Sequence, residues 1–467
     1  MFNKNRFICL LIYISIFVHL VTKCDFFSLY GTEFFVLLIG YITVGGIFCL
    51  IVVKGADIFE PLPLTLLLLI GLFSIAPIEL TAEGTVTLAG VNFMGGCVKV
   101  TFLYIFSSIA IVIGYYYKKM PRVSNYVEDL DFFNKKIVFI LLLAIWFLSI
   151  VLGYWFQYKV RGMNFNYIIS LGTQGTFSLD NTTDASINFI LNFSYSSIVP
   201  WLYFIFYYKN KVLKVVSTFL MIALFLVCGW RNVVIIMVLS AVCMYFMKNG
   251  KRPSGKQIMV AILCGLIFLG IMGAIRGNLR TGVKVENSVF ELNSVIESVT
   301  YSLETNFNLY QPFYAIAKLY PSKYMYSLGK AIFFDTLVTI IPRVIWPNKP
   351  LAWNNSLNTA MRRSTADIVV TKYGMAVPSL GEYYVDFGFV GTILFCVLMG
   401  IILKNQTRFF RKKNRNICDL IRYSVTYGVL FVLVMRGATP NNFYYLLFLM
   451  WPNIVVRYFV EKEKKYV

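Results

Sequence analysis

Residues 136–157 read KIVFILLLAIWFLSIVLGYWFQ. After Lys136 the stretch carries no charge, and it is long enough to cross a bilayer core of about 30 Å as a single helix. The rest of the chain follows the same pattern. Of 467 residues, 58% are hydrophobic and only 14% charged, whereas a soluble domain carries about a quarter charged residues. This composition excludes a cytosolic enzyme, a secreted domain and a disordered chain, and it predicts an all-α polytopic membrane protein.

About twelve segments have the length and apolarity of a span: 6–22, 30–53, 61–77, 95–117, 136–157, 185–208, 212–229, 232–247, 257–275, 388–404, 418–435 and 442–459. The expected organisation is therefore helices 1–9 in residues 1–275, a large loop over 276–387, and helices 10–12 in 388–467. The long apolar run after residue 212 is interrupted at Gly229-Trp230-Arg231-Asn232, which predicts a tight helical hairpin.

The net charge of +21 sets topology before it suggests a ligand, because Lys and Arg concentrate in cytoplasmic loops. One set of alternate loops holds Lys118, Lys119, Arg122, Lys135 and Lys136, then Lys248, Lys251, Arg252 and Lys256, then Lys404 through Arg415. The short loops of the other set hold only Lys23, Lys159, Arg161, Arg231 and Arg436. Both termini are then expected in the cytoplasm and the 276–387 loop outside it, with no role for nucleic acid. Within that loop, apolar residues from Leu292 to Phe307 recur at helical spacing, which predicts an amphipathic helix over 288–319. The segment AIFFDTLVTIIPRVIW, 331–346, is apolar but too short to span, and is expected to lie in the interface or dip into the bilayer.

Ionisable groups at a membrane are costly and so mark candidate sites. Arg231 sits at the hairpin tip. Arg276 and Arg280 follow span nine four residues apart, on one face if the helix continues, and are able to grip one anion together. Pro342-Arg343-Val344-Ile345-Trp346-Pro347-Asn348-Lys349-Pro350 presents Arg343 and Lys349 on a stiff proline frame. Glu382 and Asp386 stand four apart in the stretch leading into span ten, and Arg436 ends span eleven. Each has a plainer reading: snorkelling or headgroup contact for the cations, a solvated helix start for the acids. The nine cysteines never form a CxxC pair, and phosphate-loop, dinucleotide and HExxH motifs are absent, so neither a metal nor a cofactor is expected. The single histidine, His19, is expected in the middle of span one, as a packed or cavity-facing residue rather than a catalyst.

Gly229-x-Arg231, Pro342-Arg343-x-x-Trp346-Pro347-x-Lys349-Pro350 and Gly381-Glu382-x-Tyr384-x-x-Phe387-Gly388 carry a resemblance, together with the late outer loop. With these features the chain resembles the Wzy-type polymerases of O-antigen and capsular oligosaccharide repeat units, relatives of the O-antigen ligases. The resemblance implies a membrane glycosyltransferase similar in fold to the C-type glycosyltransferases, using neither metal nor nucleotide sugar. Such an enzyme transfers a growing glycan from one undecaprenyl diphosphate carrier to a new lipid-linked unit on the outer face of the bacterial plasma membrane, with a chain-length regulator and a flippase as membrane partners. The related ligases use a histidine in the outer loop; this chain has none there.

Joined to the residue reading, the resemblance assigns catalysis to Glu382, Arg231 and Arg276, and diphosphate binding to Arg280, Arg343, Lys349 and Arg436. A departing diphosphate carries its own charge and calls for guanidinium groups more than for a proton donor. Loop aromatics Tyr301, Tyr310, Tyr314, Tyr320, Trp353 and Tyr373 are candidates for stacking on sugars. The alternatives are an O-antigen ligase, which the absence of a loop histidine disfavours, and, as the main rival, a lipid-linked oligosaccharide flippase or other transporter. The latter is disfavoured because the candidate charges gather at one edge rather than at the membrane midplane. Lys99, one turn inside span four, is the exception to that pattern.

Overall fold

The computed structural model describes residues 4–23, 31–57, 59–81, 86–88, 90–118, 136–161, 192–227, 231–249, 254, 257, 308–341, 345–348, 376–411 and 416–464. Among these the chain is mostly helical. In chain order the helices are α1 Lys4–Val21, α2 Gly31–Val53, α3 Pro61–Leu80, α4 Phe93–Tyr116, α5 Lys136–Arg161, α6 Ile198–Tyr207, α7 Lys211–Val227 and α8 Arg231–Asn249. They continue with α9 Tyr310–Leu319, α10 over 330–340, α11 Ser379–Arg411, α12 Ile417–Arg436 and α13 Thr439–Lys464. Thr87–Leu88 and Val91–Asn92 form a short hairpin.

Seven of the helices are long and apolar enough to cross a membrane: α2, α3, α4, α8, α11, α12 and residues Lys136–Trp155 of α5. Each coincides with an expected span. Helices also occupy the expected first, seventh and twelfth spans, and α6 the end of the sixth. The span expected at 257–275 lies outside the described residues. The residues of the expected break, 228–230, lie outside the described residues, but α7 and α8 run in opposite directions on either side of them, as Lys214 near the start of α7 and Lys248 near the end of α8 both reach the C-terminal carbonyls of α6.

Glycines let the helices approach closely, as small residues do where lipid supplies no hydrophobic drive to association. A Cβ on Gly400 of α11 would lie 2.1 Å from the carbonyl oxygen of Ile111, and one on Gly114 of α4 would lie 2.1 Å from that of Val397. Helices α8 and α12 cross where a Cβ on Gly428 would lie 2.8 Å from the oxygen of Ile236. From that crossing, at 1.5 Å per residue, Arg231 and Arg436 stand about 8 and 12 Å along their axes toward the same end of the bundle.

The other end uses its cations differently. Glu60, which precedes α3 and is buried, accepts from Nε and Nη2 of Arg411 at 2.8 and 2.6 Å, and from the Tyr115 hydroxyl at 3.1 Å. Lys214 donates to the Ile205 carbonyl at 2.6 Å and Lys248 to that of Phe206 at 2.5 Å, satisfying the C-terminal carbonyls of α6. Lys404 reaches the Lys118 carbonyl beyond the end of α4. The basic residues that set topology in the sequence reading thus also close helix ends.

His19 lies in the last turn of α1, not mid-span, and its Nε2 is 2.9 Å from Oε1 of Glu79. Helix α9 is the described part of the helix expected over 288–319. It is buried on nearly all sides, with Tyr310, Pro312, Phe313, Tyr314, Ala315, Ile316 and Ala317 enclosed, while the Leu292–Phe307 stretch on which the amphipathic pattern rests lies outside the described residues. It lies against the first turn of α4 so closely that a Cβ on Gly96 would fall 1.9 Å from the Tyr314 carbonyl oxygen.

Candidate functional site

Gly388 makes the site possible. Its backbone (φ 68°, ψ −166°) splits α11 into a short helix, 379–387, and the spanning segment that follows. A side chain there would be strained, and it would also strike the Tyr326 ring 2.9 Å away. Every residue from Ser379 to Asp386 is buried, including both carboxylates. The sequence reading left open a solvated helix start whose acids favour their own dipole. Instead, each acid serves another helix.

Glu382 faces the turn between α12 and α13. It accepts from the Thr439 amide at 3.1 and 3.2 Å and from the Thr439 hydroxyl at 2.7 Å, so it occupies the anion-favouring N-terminus of α13. The turn is built to admit it. Gly437 and Ala438 both have positive φ, 58° and 54°. A Cβ on Gly437 would stand 2.6 Å from the Val377 oxygen and 3.4 Å from Oε2 of Glu382. Asn442 ties the turn off by donating to the Gly437 and Ala438 carbonyls at 2.6 and 3.1 Å.

Asp386 faces the other way. Its carboxylate accepts from the Ala331 amide at 3.1 Å, the Ile332 amide at 2.9 Å and the Ser327 hydroxyl, holding the N-terminus of α10. The backbone of the preceding loop is fastened to the same helix, Ser327 N–H donating to the Val385 carbonyl and Leu328 N–H to that of Asp386, both at 2.9 Å. Helix α10 packs against α13, so the two acids of one short helix fasten two neighbouring helices.

Of the seven site residues expected from sequence, Glu382 and Arg436 are brought together here, Arg436 being partly buried at the head of the turn that Glu382 holds. Arg231 opens α8 at the same end of the bundle. Arg276, Arg280, Arg343 and Lys349 lie outside the described residues. Lys99 has a structural role: its ammonium donates to the Ala317 and Tyr320 carbonyls at 2.9 and 3.1 Å and closes the C-terminus of α9. Tyr310, Tyr314 and Tyr320 are buried in the packing of α9 and the loop after it and offer no face to a sugar. Tyr301, Trp353 and Tyr373 lie outside the described residues. One carboxylate that residue spacing did not single out is Asp335, enclosed on the inner face of α10. Its only signal in the sequence was an acid inside an apolar segment. Among the described residues no three of His, Cys, Asp and Glu gather as metal ligands.

With this geometry in view, comparison with protein families is decisive. A family model described as O-antigen polysaccharide polymerase Wzy matches residues 6–463, nearly the whole chain. The chain belongs to the Wzy family. No curated protein and no solved structure matches it. Membership makes this Wzy-family chain a membrane polymerase of O-antigen repeat units, a glycosyltransferase-like enzyme. The Gly-Glu stretch that carried the resemblance is the stretch whose acids assemble α10, α11 and α13.

Proposed function

We propose that the chain joins undecaprenyl-diphosphate-linked repeat units, moving the growing glycan onto the terminal sugar of a new lipid-linked unit at the outer face of the bacterial plasma membrane. The hydroxyl of the acceptor sugar attacks the anomeric carbon of the donor glycan. The bond to the donor's diphosphate breaks, the lipid diphosphate leaves with the electron pair, and the hydroxyl proton passes to a base. Both termini are cytoplasmic in this reading, with the 276–387 loop outside.

What supports the reading is that α8 begins at Arg231 and α12 ends at Arg436 at the same end of the α8–α12 pair, Arg436 standing at the head of the turn that Glu382 of the short helix of α11 holds. Arginines suit that place because planar guanidinium groups stabilise a diphosphate as its charge develops. Arg276, Arg280, Arg343 and Lys349 complete the diphosphate site in this proposal. Glu382 is committed to Thr439 in this conformation, so it contributes chiefly by fixing the Arg436–Thr439 turn; direct deprotonation of the acceptor requires that contact to open. Asp335, a further buried carboxylate of α10, is a second candidate to serve the acceptor. A chain-length regulator and a flippase are the expected membrane partners.

The test is reconstitution with a synthetic undecaprenyl-diphosphate repeat unit and no nucleotide sugar. A ladder of longer lipid-linked glycans is expected. Arg231→Ala should lower turnover by about 10²-fold or more, and Arg231→Lys should recover little of it. Unextended substrate that nevertheless crosses vesicle membranes would replace the reading with a flippase.

A further inference from the structure

Helix α10 and the loop before it are arranged inside out for a water-facing surface. On the inner face Ala331, Ile332, Asp335 and Val338 are buried, the acid being 1% exposed. On the outer face Phe333 is 58% and Leu337 66% exposed, and in the loop Met325 and Leu328 are 88% and 82% exposed. Ile345 and Trp346, just beyond the helix, are exposed as well. Leu328 is also held at φ 54°, a backbone region unfavourable for a branched apolar residue, and the hydrogen bond its backbone N–H donates to the Asp386 carbonyl keeps it there with the side chain pointing away from the protein. In water such a patch is a liability; in hydrocarbon, apolar outside and acid inside is the ordinary order.

The patch is continuous with a surface that already faces lipid. Val390, Leu394, Leu398 and Ile402 form an exposed apolar stripe at every fourth residue of the spanning part of α11, while Cys396, Gly400, Leu403 and Thr407 are buried on the other side. The Phe333 ring lies 6.2 Å from that of Phe387 and 6.4 Å from that of Phe395, whose neighbour Leu394 belongs to the stripe. Phe395 is about 10 Å along the helix axis from Gly388 at 1.5 Å per residue. Helix α10 therefore sits alongside the span, below the level at which the span begins.

We propose that Met325, Leu328, Phe333, Leu337, Ile345 and Trp346 form a membrane-docking face seated in the acyl-chain region of the leaflet at this end, making α10 an immersed element of the site rather than a loop lying over it. Asp386 sets the orientation, since it holds the helix N-terminus and so decides which face turns to lipid. Burial and continuity with the α11 stripe alone define this face. Seating of this face in lipid is independent of the polymerase mechanism, which would stand if the face proved to lie in water.

The experiment places an environment-sensitive fluorescent amino acid at position 337, and separately at 328, of the full chain in proteoliposomes. Position 394 serves as the hydrocarbon control and the exposed Lys323 as the aqueous control. Quenching at 337 and 328 by acyl-brominated phospholipid should approach that at 394, with aqueous iodide quenching them several-fold less than position 323. The pattern of position 323 at both sites overturns the proposal. So does protection from both quenchers, which would mean that protein covers the face. Because the side chain of Leu328 projects outward, the probe there is readable even if substitution at 337 impairs folding.

Discussion

Glu382 and Asp386 stand one helical turn apart, and each carboxylate holds the N-terminus of a different helix: Glu382 that of α13 through Thr439, Asp386 that of α10 through Ala331 and Ile332. Since α10 and α13 pack on one another, the short helix 379–387 works as a brace with two charged pegs. Charge-assisted hydrogen bonds in a buried setting are among the stronger polar contacts, and removing one partner leaves the other without compensation.

The first peg is testable by a thermodynamic cycle. Glu382→Gln and Thr439→Val should each lower stability by about 1–3 kcal/mol. The double variant should cost clearly less than the sum, because the two changes remove one shared contact. Thermal unfolding in detergent reads this; strict additivity would show that the acid and the threonine do not act together.

The second peg should act locally. Asp386→Asn keeps the size of the side chain but weakens its hold on the Ala331 and Ile332 amides, so hydrogen exchange across 327–340 should accelerate by at least tenfold while α4 and α12 change little. Uniform acceleration over the whole chain would instead make Asp386 a residue of the global core.

At the α4–α11 crossing, Gly400→Ala puts a methyl group where a carbonyl oxygen already stands, 2.1 Å away. Overpacking of that kind costs about 1–3 kcal/mol. Gly46, around which a Cβ would find open space, is the control at which alanine should be tolerated. Equal unfolding temperatures for the two variants would contradict the close crossing.

At the far end, Arg411→Met leaves the Glu60 carboxylate buried without its guanidinium and should destabilise by about 3–5 kcal/mol. Pairing it with Glu60→Gln should restore much of that loss, because the stranded charge is gone. The measurement is again detergent unfolding. A double variant as unstable as Arg411→Met alone would show that the pair's worth lies in something other than its charges.

Much of the fold was legible in the chain. Runs such as 136–157 admit one solution in a bilayer, where every backbone group must find its partner within a helix, and the helices lie where those runs fall. The reversal of direction between α7 and α8 was legible too, from an arginine and turn residues interrupting an apolar run. The role of the Gly-Glu stretch was not. Spacing put Glu382 and Asp386 on one face of their own helix, but the backbone break at Gly388 and the enclosing neighbours determine what each carboxylate meets. The packing role of Tyr314 and the helix-closing role of Lys99 were not legible for a related reason. A cation or an aromatic ring has the same letter whether it caps a helix, fills a core or waits for a ligand.

By itself, then, the sequence determined that the chain lives in a membrane, where its spans fall and to which family it belongs, because hydropathy and motif are properties of consecutive residues. Only the tertiary structure decided that two acids in one turn would brace two other helices, that Arg231 and Arg436 would share an end, and that α10 would turn its acid inward and its phenylalanine outward. These are contacts between residues distant in the chain, set by close helix crossings at glycine and by the need to satisfy buried helix termini, and no local pattern encodes which partners will meet.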